Sequence, residues 1–292
     1  MSILFIVNPV AGKGKSLEFA AYIENTLKEK GIDYAMKFTT LKGEAEHIAK
    51  EAADGTYEKI VAVGGDGTVY EVINGLAGGT AALGVIPSGT GNDFVKTMKI
   101  SPKLESALET VLNGEITAID CGKVNGRYFI NVASIGLDAE IVKKTEEMKK
   151  YIPGPTAYMA GLFKTLFQYR LQDVEIVIDD WVYKGKITLV AVGNGKYYGG
   201  GMKVVPSAKI DDGYFTVCLI KPMSKFKMLR LLPTIFSGDH IQESEVIILK
   251  GKKIRVSSKD PMILNTDGDI SGTTPAVLEI IENRTSVIVP NK

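Results

Sequence analysis

The chain has 292 residues, which is room for about two domains, and 45% of them are apolar, enough for a sizeable core. The net charge of +1 gives no bulk attraction to nucleic acid, so a nucleic-acid partner is not expected. Glycine is over-represented: 31 of the 292 residues are glycines, whereas glycine makes up about 7% of the residues in average proteins. They form no collagen or low-complexity repeat, so we expect them at tight turns or close backbone approaches to a ligand.

The rare residue types and the hydropathy exclude several classes of protein. Cys121 and Cys218 lie far apart and form neither a metal knuckle nor a disulfide framework by themselves, which fits a reducing compartment. With two histidines, a zinc site or a Ser-His-Asp hydrolase has few candidates. No apolar run approaches the ~20 residues that span a bilayer, and the N-terminus does not resemble a signal peptide. A cytoplasmic protein is expected.

The first ~115 residues alternate between strand and helix patterns. Strands are predicted at Ile3–Val7, Tyr34–Thr39, Lys59–Val63 and Ala81–Ile86. Helices are predicted at Leu17–Lys30, Glu44–Ala53, Thr68–Leu76 and Leu104–Leu112. This alternation predicts a parallel sheet with helices on its faces, in which ligands bind beyond the carboxyl ends of the strands.

Near residues 116–122 the pattern changes to two helices followed mainly by strands. The helices are predicted at Ala139–Lys150 and Thr156–Tyr169. The strands are predicted at Val174–Ile178, Lys186–Val192, Tyr214–Ile220, Glu245–Leu249, Lys253–Val256, Val277–Ile281 and Ser286–Val289. We therefore predict an α/β domain over residues 1–122, which the extreme C-terminus is a candidate to complete. Residues 123–292 are predicted to form a β-rich, mostly antiparallel sandwich.

Three glycine clusters each follow a predicted strand of the first domain. They are Asn8–Ser16 (NPVAGKGKS), Gly64–Thr68 (GGDGT) and Pro87–Asp93 (PSGTGND). One such loop often serves turn geometry alone, but three at one edge of a sheet indicate an anion site. Backbone amides without neighbouring side chains, placed before helix N-termini, favour phosphate.

The common phosphate-binding fingerprints fail at single positions. Gly14-Lys15-Ser16 ends like a P-loop, but Pro9 stands where the first glycine belongs. A dinucleotide motif that starts at Gly12 needs glycine at Leu17, and one that starts at Gly65 needs glycine at Tyr70. The clusters therefore form a different phosphate site.

GGDGT and PSGTGND together, with Val7-Asn8-Pro9 before them, resemble the diacylglycerol kinase catalytic domain, in particular the soluble bacterial lipid kinases of that family. GGDGT occurs also in NAD kinases and phosphofructokinases, so the combination carries the resemblance. It continues through Val192–Gly195, Gly199–Gly201, Pro206–Tyr214 and Asn265–Asp269. It implies a Rossmann-like first domain of the NAD kinase/diacylglycerol kinase type and a β-rich second domain for the lipid substrate.

The resemblance implies that ATP and Mg²⁺ bind in the first domain. The implied nucleotide site consists of Asn8, Pro9, Ala11, Gly12, Thr40 or its neighbour Thr39, Gly65, Asp66, Gly67, Thr68, Glu71 and Thr90. A network of Asp66, Asp93 and Asp120 is implied for Mg²⁺, which needs only one or two carboxylates beside phosphate and water. Asp120 is matched by its place before Cys121-Gly122, and a simple capping or turn role stays open.

A second, structural Mg²⁺ site is implied in the β-rich domain. Its ligands are the Asp212 side chain and the carbonyl groups of Lys209 and Tyr214. The alternative is an ordinary Asp-Asp-Gly turn into a strand.

The general base is implied near the C-terminus, where the family has Asp-Gly-Glu and this chain has Asp267-Gly268-Asp269. We assign the base to Asp269, with Asp66 as the other catalytic residue. Because the side chain of Asp269 is one methylene shorter, its reach depends on the placement of the backbone. A base must come within about 2.6–3.2 Å of the atom that loses the proton.

The acceptor side carries aromatic and basic segments. Residues 156–169 contain Tyr158, Leu162, Phe163, Leu166, Phe167 and Tyr169. The segment from Met223 has Lys225, Lys227 and Arg230 among apolar residues, and a further basic run follows at Lys250, Lys252, Lys253, Arg255 and Lys259. Two interpretations stay open: transient contact with anionic lipid headgroups, or a buried helix face and a solvated hairpin.

The sequence therefore predicts a Mg²⁺-dependent kinase that transfers the γ-phosphoryl group of ATP to a lipid hydroxyl, with diacylglycerol as the expected acceptor. The alternatives are another acceptor, namely phosphatidylglycerol, a sphingoid or polyprenol-like alcohol or NAD, and a nucleotide-binding regulator without catalysis. Peripheral contact with a membrane surface is expected, and the family suggests a homodimer.

Overall fold

The structure is a computed structural model that describes residues 2–53, 55–76, 78–149 and 164–291. Its internal contacts divide the chain into two compact units. Unit 1 comprises Met1–Cys121 and Glu282–Lys292, and unit 2 comprises Gly122–Ile281. The C-terminal segment thus packs with the N-terminal α/β region.

Unit 1 contains a parallel sheet in the strand order β2-β1-β3-β4-β16. The strands are β1 (Ile3–Val7), β2 (Tyr34–Phe38), β3 (Lys59–Gly64), β4 (Ala82–Pro87) and the C-terminal part of β16 (Ala276–Val289). The strands β1, β3 and β4 are buried along their whole length. Burial on both faces requires the continuous apolar runs that mark them in the sequence.

The helices of unit 1 follow the strands at the predicted places. They are α1 (Lys15–Lys30), α2 (Glu44–Ala52), α3 (Asp66–Gly75), α4 (Asp93–Met98) and α5 (Leu104–Asn113), and the strand β5 (Glu115–Val124) follows them. The helix α1 ends at Gly31, whose φ of 63° lies in the left-handed region that glycine adopts without strain. The short helix α4 was not predicted, because six residues carry too little periodic pattern.

Unit 2 is mostly antiparallel. One sheet has the order β12-β11-β10-β7-β14-β15. Its strands are β7 (Val132–Gly136), β10 (Leu189–Gly193), β11 (Phe215–Ile220), β12 (Val246–Gly251), β14 (Ile263–Thr266) and β15 (Asp269–Thr273). The remaining strands are β8 (Gln172–Ile178), β9 (Trp181–Ile187), β13 (Lys253–Ser258) and the first part of β16, with β6 (Arg127–Phe129) paired to β5. The predicted β-rich second domain is confirmed.

Helices lie beside these strands in unit 2. They are α6 (Leu137–Lys149), a helical stretch at 164–168 (α7) and α8 (Lys225–Ser237). The predicted helix Thr156–Tyr169 falls partly outside the described residues, and Tyr158, Leu162 and Phe163 lie there.

Two strand predictions in the second half were wrong in detail. The predicted strand Lys186–Val192 covers the end of β9 and the start of β10, which are separated at Thr188. The two strands have different partners: β9 pairs with β8, and β10 pairs with β7 and β11. The predicted strands Val277–Ile281 and Ser286–Val289 are one strand, β16. Asn283, between the two predicted strands, has a φ of 49° but stays within the strand.

Candidate functional site

In unit 1, the loops that follow β1, β3 and β4 approach one another backbone to backbone. A Cβ atom on Gly12 would lie 2.1 Å from the carbonyl oxygen of Ser88. A Cβ atom on Gly89 would lie 2.5 Å from Cα of Gly65. Since real Cβ atoms do not come this close to backbone atoms, only glycine lets the loops meet. We call these three loops the glycine cradle, defined as residues 8–16, 64–68 and 87–93.

Asn8 and Thr68 hold the cradle together. The Asn8 side chain donates from Nδ2 to Oγ1 of Thr68 (3.2 Å) and accepts the amide of Val10 at Oδ1 (3.2 Å). The buried hydroxyl of Ser16 donates to the Asn8 carbonyl oxygen (2.5 Å). Of the predicted nucleotide-site residues, Asn8 and Thr68 thus use their side chains to fix the loops. Pro9, Ala11 and Gly67 lie in the same loops.

Asp66 and Asp93 come together at the N-terminal ends of α3 and α4. Oδ1 of Asp66 accepts the amides of Asp93 (2.7 Å) and Phe94 (3.2 Å). Burial raises the pKa of Asp66, and the charge of Asp93 raises this pKa further. Asp93 is itself buried and pairs with Lys96 at 3.2 Å. A carboxylate whose charge is disfavoured by burial and by a neighbouring carboxylate is stabilised by an added cation.

Asp120 does not join Asp66 and Asp93 in a direct ligand set. Its buried carboxylate accepts the amide of Asn283 (2.8 Å), a contact between β5 and β16. Within the described residues, no three His, Cys, Asp or Glu side chains are grouped so that they could hold one metal ion. The structure therefore brings together two of the three predicted aspartates.

Asp212, the side chain predicted to hold a second metal ion in unit 2, takes part in an ion pair. The ammonium group of Lys250 lies 2.6 Å from Oδ2 of Asp212, whose Oδ1 accepts the amide of Tyr214 at 3.2 Å. Lys209 is exposed in the preceding turn. Both contacts suit a turn into β11, and the metal site at Asp212 stays a prediction.

Three further predicted nucleotide residues lie at the edge of the cradle. The hydroxyl and amide of Thr40 both donate to Oε2 of Glu44, at 2.9 and 2.5 Å. The carboxylate of Glu71 accepts amides at the start of α2, from Gly43 (2.8 Å) and Ala45 (3.2 Å). Thr90 is exposed in the third loop. Glu71 therefore fixes α2 against α3, a role that the sequence did not indicate.

Two exposed apolar side chains at the edge of the cradle were not predicted from the sequence. Val10 in the first loop is 79% exposed, and Leu41 after β2 is 75% exposed. Their segments are adjacent because β1 and β2 pair in parallel and the Thr39 amide donates to the Val7 carbonyl oxygen. They offer an apolar surface beside a phosphate-binding arrangement.

In unit 2, the turn between β14 and β15 contains Asp267-Gly268-Asp269. The carboxylate of Asp267 accepts three consecutive amides, from Ile130 (2.7 Å), Asn131 (2.9 Å) and Val132 (3.0 Å). Asp269 starts β15 opposite Thr266 and is half-buried. The three hydrogen bonds of Asp267 fix the turn to the start of β7, so the backbone of Asp269 is held in place.

Unit 2 also encloses a cavity of about 490 Å³, a size typical of small-molecule sites. Its described wall is mainly apolar and includes Leu137, Ile141, Met223, Leu231 and Phe236. The few polar residues in the wall include Asp138, Tyr198 and His240. Gly268 of the Asp267–Asp269 turn belongs to the same wall. An apolar cavity thus reaches the turn that carries Asp269.

Comparisons with known proteins agree with this arrangement. The model of the diacylglycerol kinase catalytic domain matches residues 2–124, and that of the YegS C-terminal NAD kinase beta sandwich-like domain matches residues 131–289. Diacylglycerol kinases of Staphylococcus epidermidis and Bacillus subtilis are 34% and 33% identical to the chain. Each match covers 98% of this chain, and 91% and 96% of the respective relative. The chain belongs to the diacylglycerol kinase family.

A solved structure of a diacylglycerol kinase from Bacillus anthracis has the same fold as this kinase. Its TM-score is 0.78 with 26% identity, and the match covers 99% of this chain and 96% of the other. Family membership makes the protein a phosphotransferase with an alcohol acceptor and implies ATP as the phosphoryl donor. In the described part of the kinase, no helix is long and apolar enough to cross a membrane.

Asp138 is a buried carboxyl group in the cavity wall of the kinase. It is 7% exposed, and neither of its oxygens has a hydrogen-bond partner among the described residues. Burial raises the pKa of Asp138 to about 6, while Ser134, Tyr198 and the first amides of α6 lie near enough to oppose the rise. No pattern in the sequence singled out this residue.

From the backbone contacts of the cradle, we expect Gly89→Ala to lower the affinity for ATP strongly. Because the new Cβ would collide with the backbone of Gly65, the loops must separate, and we expect affinity for ATP to fall by about tenfold or more. Isothermal titration calorimetry measures this affinity. Gly31→Ala is the control: it strains the end of α1 and lowers stability by about 1 kcal/mol, but leaves ATP affinity unchanged. Equal ATP affinity in Gly89→Ala and the wild type would show that the cradle does not hold the nucleotide.

Because the pKa of Asp138 is raised, we expect Asp138→Asn to increase the stability of the kinase by an amount that depends on pH. A pKa raised from 3.8 to about 6 means that the folded kinase keeps a proton that the unfolded chain has lost between these values. Stability therefore falls as the pH rises from about 4 to 6, by about 3 kcal/mol.

Asparagine does not ionise, so Asp138→Asn does not lose stability as the pH rises. We expect its free energy of unfolding to exceed that of the wild type at pH 7.5, and the difference to become smaller toward pH 4.5. Urea unfolding at the two pH values measures the difference. The exposed Asp173, changed to Asn, is the control and should show no such gain. A gain that does not depend on pH would contradict the assignment.

Proposed function

We propose that this protein is an ATP-dependent lipid kinase that converts diacylglycerol to phosphatidic acid. The observation that carries the proposal is the apolar cavity whose wall includes Gly268, next to the proposed base Asp269. A water-soluble acceptor such as NAD does not need a wall of methionine, leucine and isoleucine. The diacylglycerol kinases among the relatives support the same acceptor.

The glycine cradle of unit 1 is the proposed site for the phosphates of ATP. Its loops present backbone amides without side chains, and α1 and α3 direct their N-terminal ends to this edge of the sheet. The exposed side chains of Val10 and Leu41 offer an apolar surface for the base of the nucleotide. Phosphoryl transfer depends chiefly on such positioning and on neutralising the phosphate charge.

Asp66 and Asp93 fit Mg²⁺, since both are hard oxygen ligands and the charge of Asp66 is disfavoured by burial and by the neighbouring Asp93. When bound there, Mg²⁺ would neutralise charge on the phosphates. The Asp66 carboxylate, held by the amides of Asp93 and Phe94, keeps a fixed orientation for this purpose.

Asp269 is the proposed general base of the transfer. The oxygen of the lipid hydroxyl attacks the γ-phosphorus, its proton passes to the Asp269 carboxylate, and the bond from the γ-phosphorus to the ADP oxygen breaks. Asp267 supports the reaction by its three hydrogen bonds to residues 130–132, which fix the backbone of the turn. The shorter arm of Asp269, compared with the family's glutamate, makes this fixed backbone more important.

The first test is Asp269→Ala. A general base contributes about 10²–10⁴-fold, so turnover of diacylglycerol should fall by at least about a hundredfold while ATP affinity stays unchanged. Initial rates in mixed micelles and calorimetric ATP binding measure the two quantities.

Asp269→Glu is the matched control, because it keeps the carboxylate and adds one methylene, and we expect it to retain substantial activity. The same assay should include phosphatidylglycerol, sphingosine, undecaprenol and NAD as acceptors. Unchanged turnover in Asp269→Ala would refute the base, and phosphorylation of NAD alone would refute the lipid acceptor.

We further propose that α8 contacts the membrane surface from which the lipid is taken. Phe226 is 81% exposed, and Phe236 on the same helix is 55% exposed and also lines the cavity. Lys225 and Arg230 are exposed among these apolar side chains and suit anionic headgroups. Lys227 is less available, because it pairs with Glu243 (2.9 Å) and Glu245 (2.6 Å).

Phe226→Ala should weaken binding to vesicles of phosphatidylglycerol and phosphatidylcholine by several-fold, because it removes the most exposed aromatic side chain of α8. Co-sedimentation over a series of phosphatidylglycerol fractions measures the binding. Val182→Ala, which removes an exposed apolar side chain of β9, is the control and should bind as the wild type does. Binding that ignores the anionic fraction, or equal effects of both substitutions, would contradict the proposal.

A further inference from the structure

The position of Asp138 makes the ionised carboxylate unfavourable in free energy. Asp138 lies in the first turn of α6, which follows β7 directly, and its side chain belongs to the wall of the apolar cavity. Both of its oxygens are buried without a hydrogen-bond partner among the described residues. A buried polar group that no neighbour satisfies costs about 1–3 kcal/mol, and a charged one costs more. Such a group at a ligand cavity points to a partner on the ligand.

The described neighbours of Asp138 supply no positive charge to balance it. Among the described residues that line the cavity there is no lysine or arginine. The pKa of His240 is lowered by burial, and its Nε2 pairs with the Val204 carbonyl oxygen (3.1 Å), so it stays neutral near pH 7. The hydroxyl groups of Ser134, Tyr198 and Tyr169 are the other titratable or polar groups close to Asp138, with Glu140 on the same helix.

These surroundings favour the protonated form of Asp138. Burial raises its pKa to about 6. Apolar chains that fill the cavity exclude further water and favour the neutral acid more strongly. A protonated carboxyl group is a hydrogen-bond donor, whereas a carboxylate can only accept. Asp138 therefore offers a donor to the bound lipid.

A diacylglycerol has one hydroxyl group and two ester groups. The hydroxyl is the group that is phosphorylated, so it belongs at Asp269. The ester carbonyl oxygens only accept hydrogen bonds, and the glycerol carbons that carry the two esters are the first and second neighbours of the hydroxyl-bearing carbon. Asp138 and Gly268, next to Asp269, line the same cavity, and α6 packs against β14 and β15.

We propose that protonated Asp138 donates a hydrogen bond to an ester carbonyl oxygen of the acceptor, and so selects acyl-ester lipids and positions their hydroxyl for Asp269. This inference rests on the proposed lipid kinase function and adds to it the determinant of lipid class. Asp138 acts as a positioning residue. It takes no part in the proton transfer.

Two glycerolipids that differ only in the ester carbonyls test the inference. They are 1,2-didecanoylglycerol and 1,2-di-O-decylglycerol, assayed in mixed micelles with the full-length wild type, Asp138→Asn and Asp138→Leu. We expect the wild type to prefer the diester by about tenfold in kcat/KM, the value of one well-placed hydrogen bond. Asp138→Asn keeps a donor and should keep the preference. Asp138→Leu should lose about tenfold on the diester and little on the diether.

Thr188→Val is the matched control, because it changes a polar wall residue whose hydroxyl already donates to the Lys221 carbonyl oxygen (3.0 Å). It should change both lipids by the same factor. A wild type without preference for the diester would overturn the inference even if no variant folds. Equal losses on both lipids in Asp138→Leu, or loss of the preference in Asp138→Asn, would also overturn it.

Failure of the proposed function gives a different result. If the wild type binds ATP but phosphorylates neither glycerolipid, the lipid kinase proposal fails and the role of Asp138 fails with it. If it phosphorylates both lipids and the ratio does not depend on residue 138, only the role of Asp138 fails.

Discussion

The direct contact of backbone with backbone among three strand-end loops is the constraint on which unit 1 depends. Gly12 lies against the carbonyl oxygen of Ser88, and Gly65 lies against Gly89, at separations that leave no room for a side chain. Asn8 and Thr68 then join the first loop to the start of α3 through one hydrogen bond. Because the glycines bring the loops together, amides from several elements can surround one phosphate chain without a P-loop or a dinucleotide fingerprint.

In unit 2 the corresponding constraint is on the turn that carries the proposed base, Asp269, beside an apolar cavity. A turn of two residues is flexible unless something outside it holds it. Asp267 provides this restraint, because its carboxylate accepts three successive amides of residues 130–132. One aspartate of the Asp267-Gly268-Asp269 motif therefore fixes the turn, and the other is the proposed base.

The sequence predicted those features that depend on local pattern. The strands β1, β3 and β4 are continuous apolar runs because both of their faces are buried, and the glycine clusters mark the ends of these strands. Features that depend on distant partners could not be predicted. Glu71 binds the amides that start α2, more than twenty residues earlier in the chain, and Asp267 binds residues some 135 positions upstream. The break at Thr188 lies inside Lys186–Val192, which the sequence pattern predicts as one strand, and only the change of partner strand reveals it.

Asp138 shows why a functional residue can be invisible in the sequence and costly in the structure. An aspartate in the first turn of a helix is common, because its negative charge interacts favourably with the helix dipole. Its position in the sequence therefore gives no sign of a special role. Its cost arises only when the fold closes an apolar wall around it and leaves its oxygens without partners. The proposed hydrogen bond to a bound lipid would supply the partner that the fold does not supply, and so would turn this cost into selectivity among lipids.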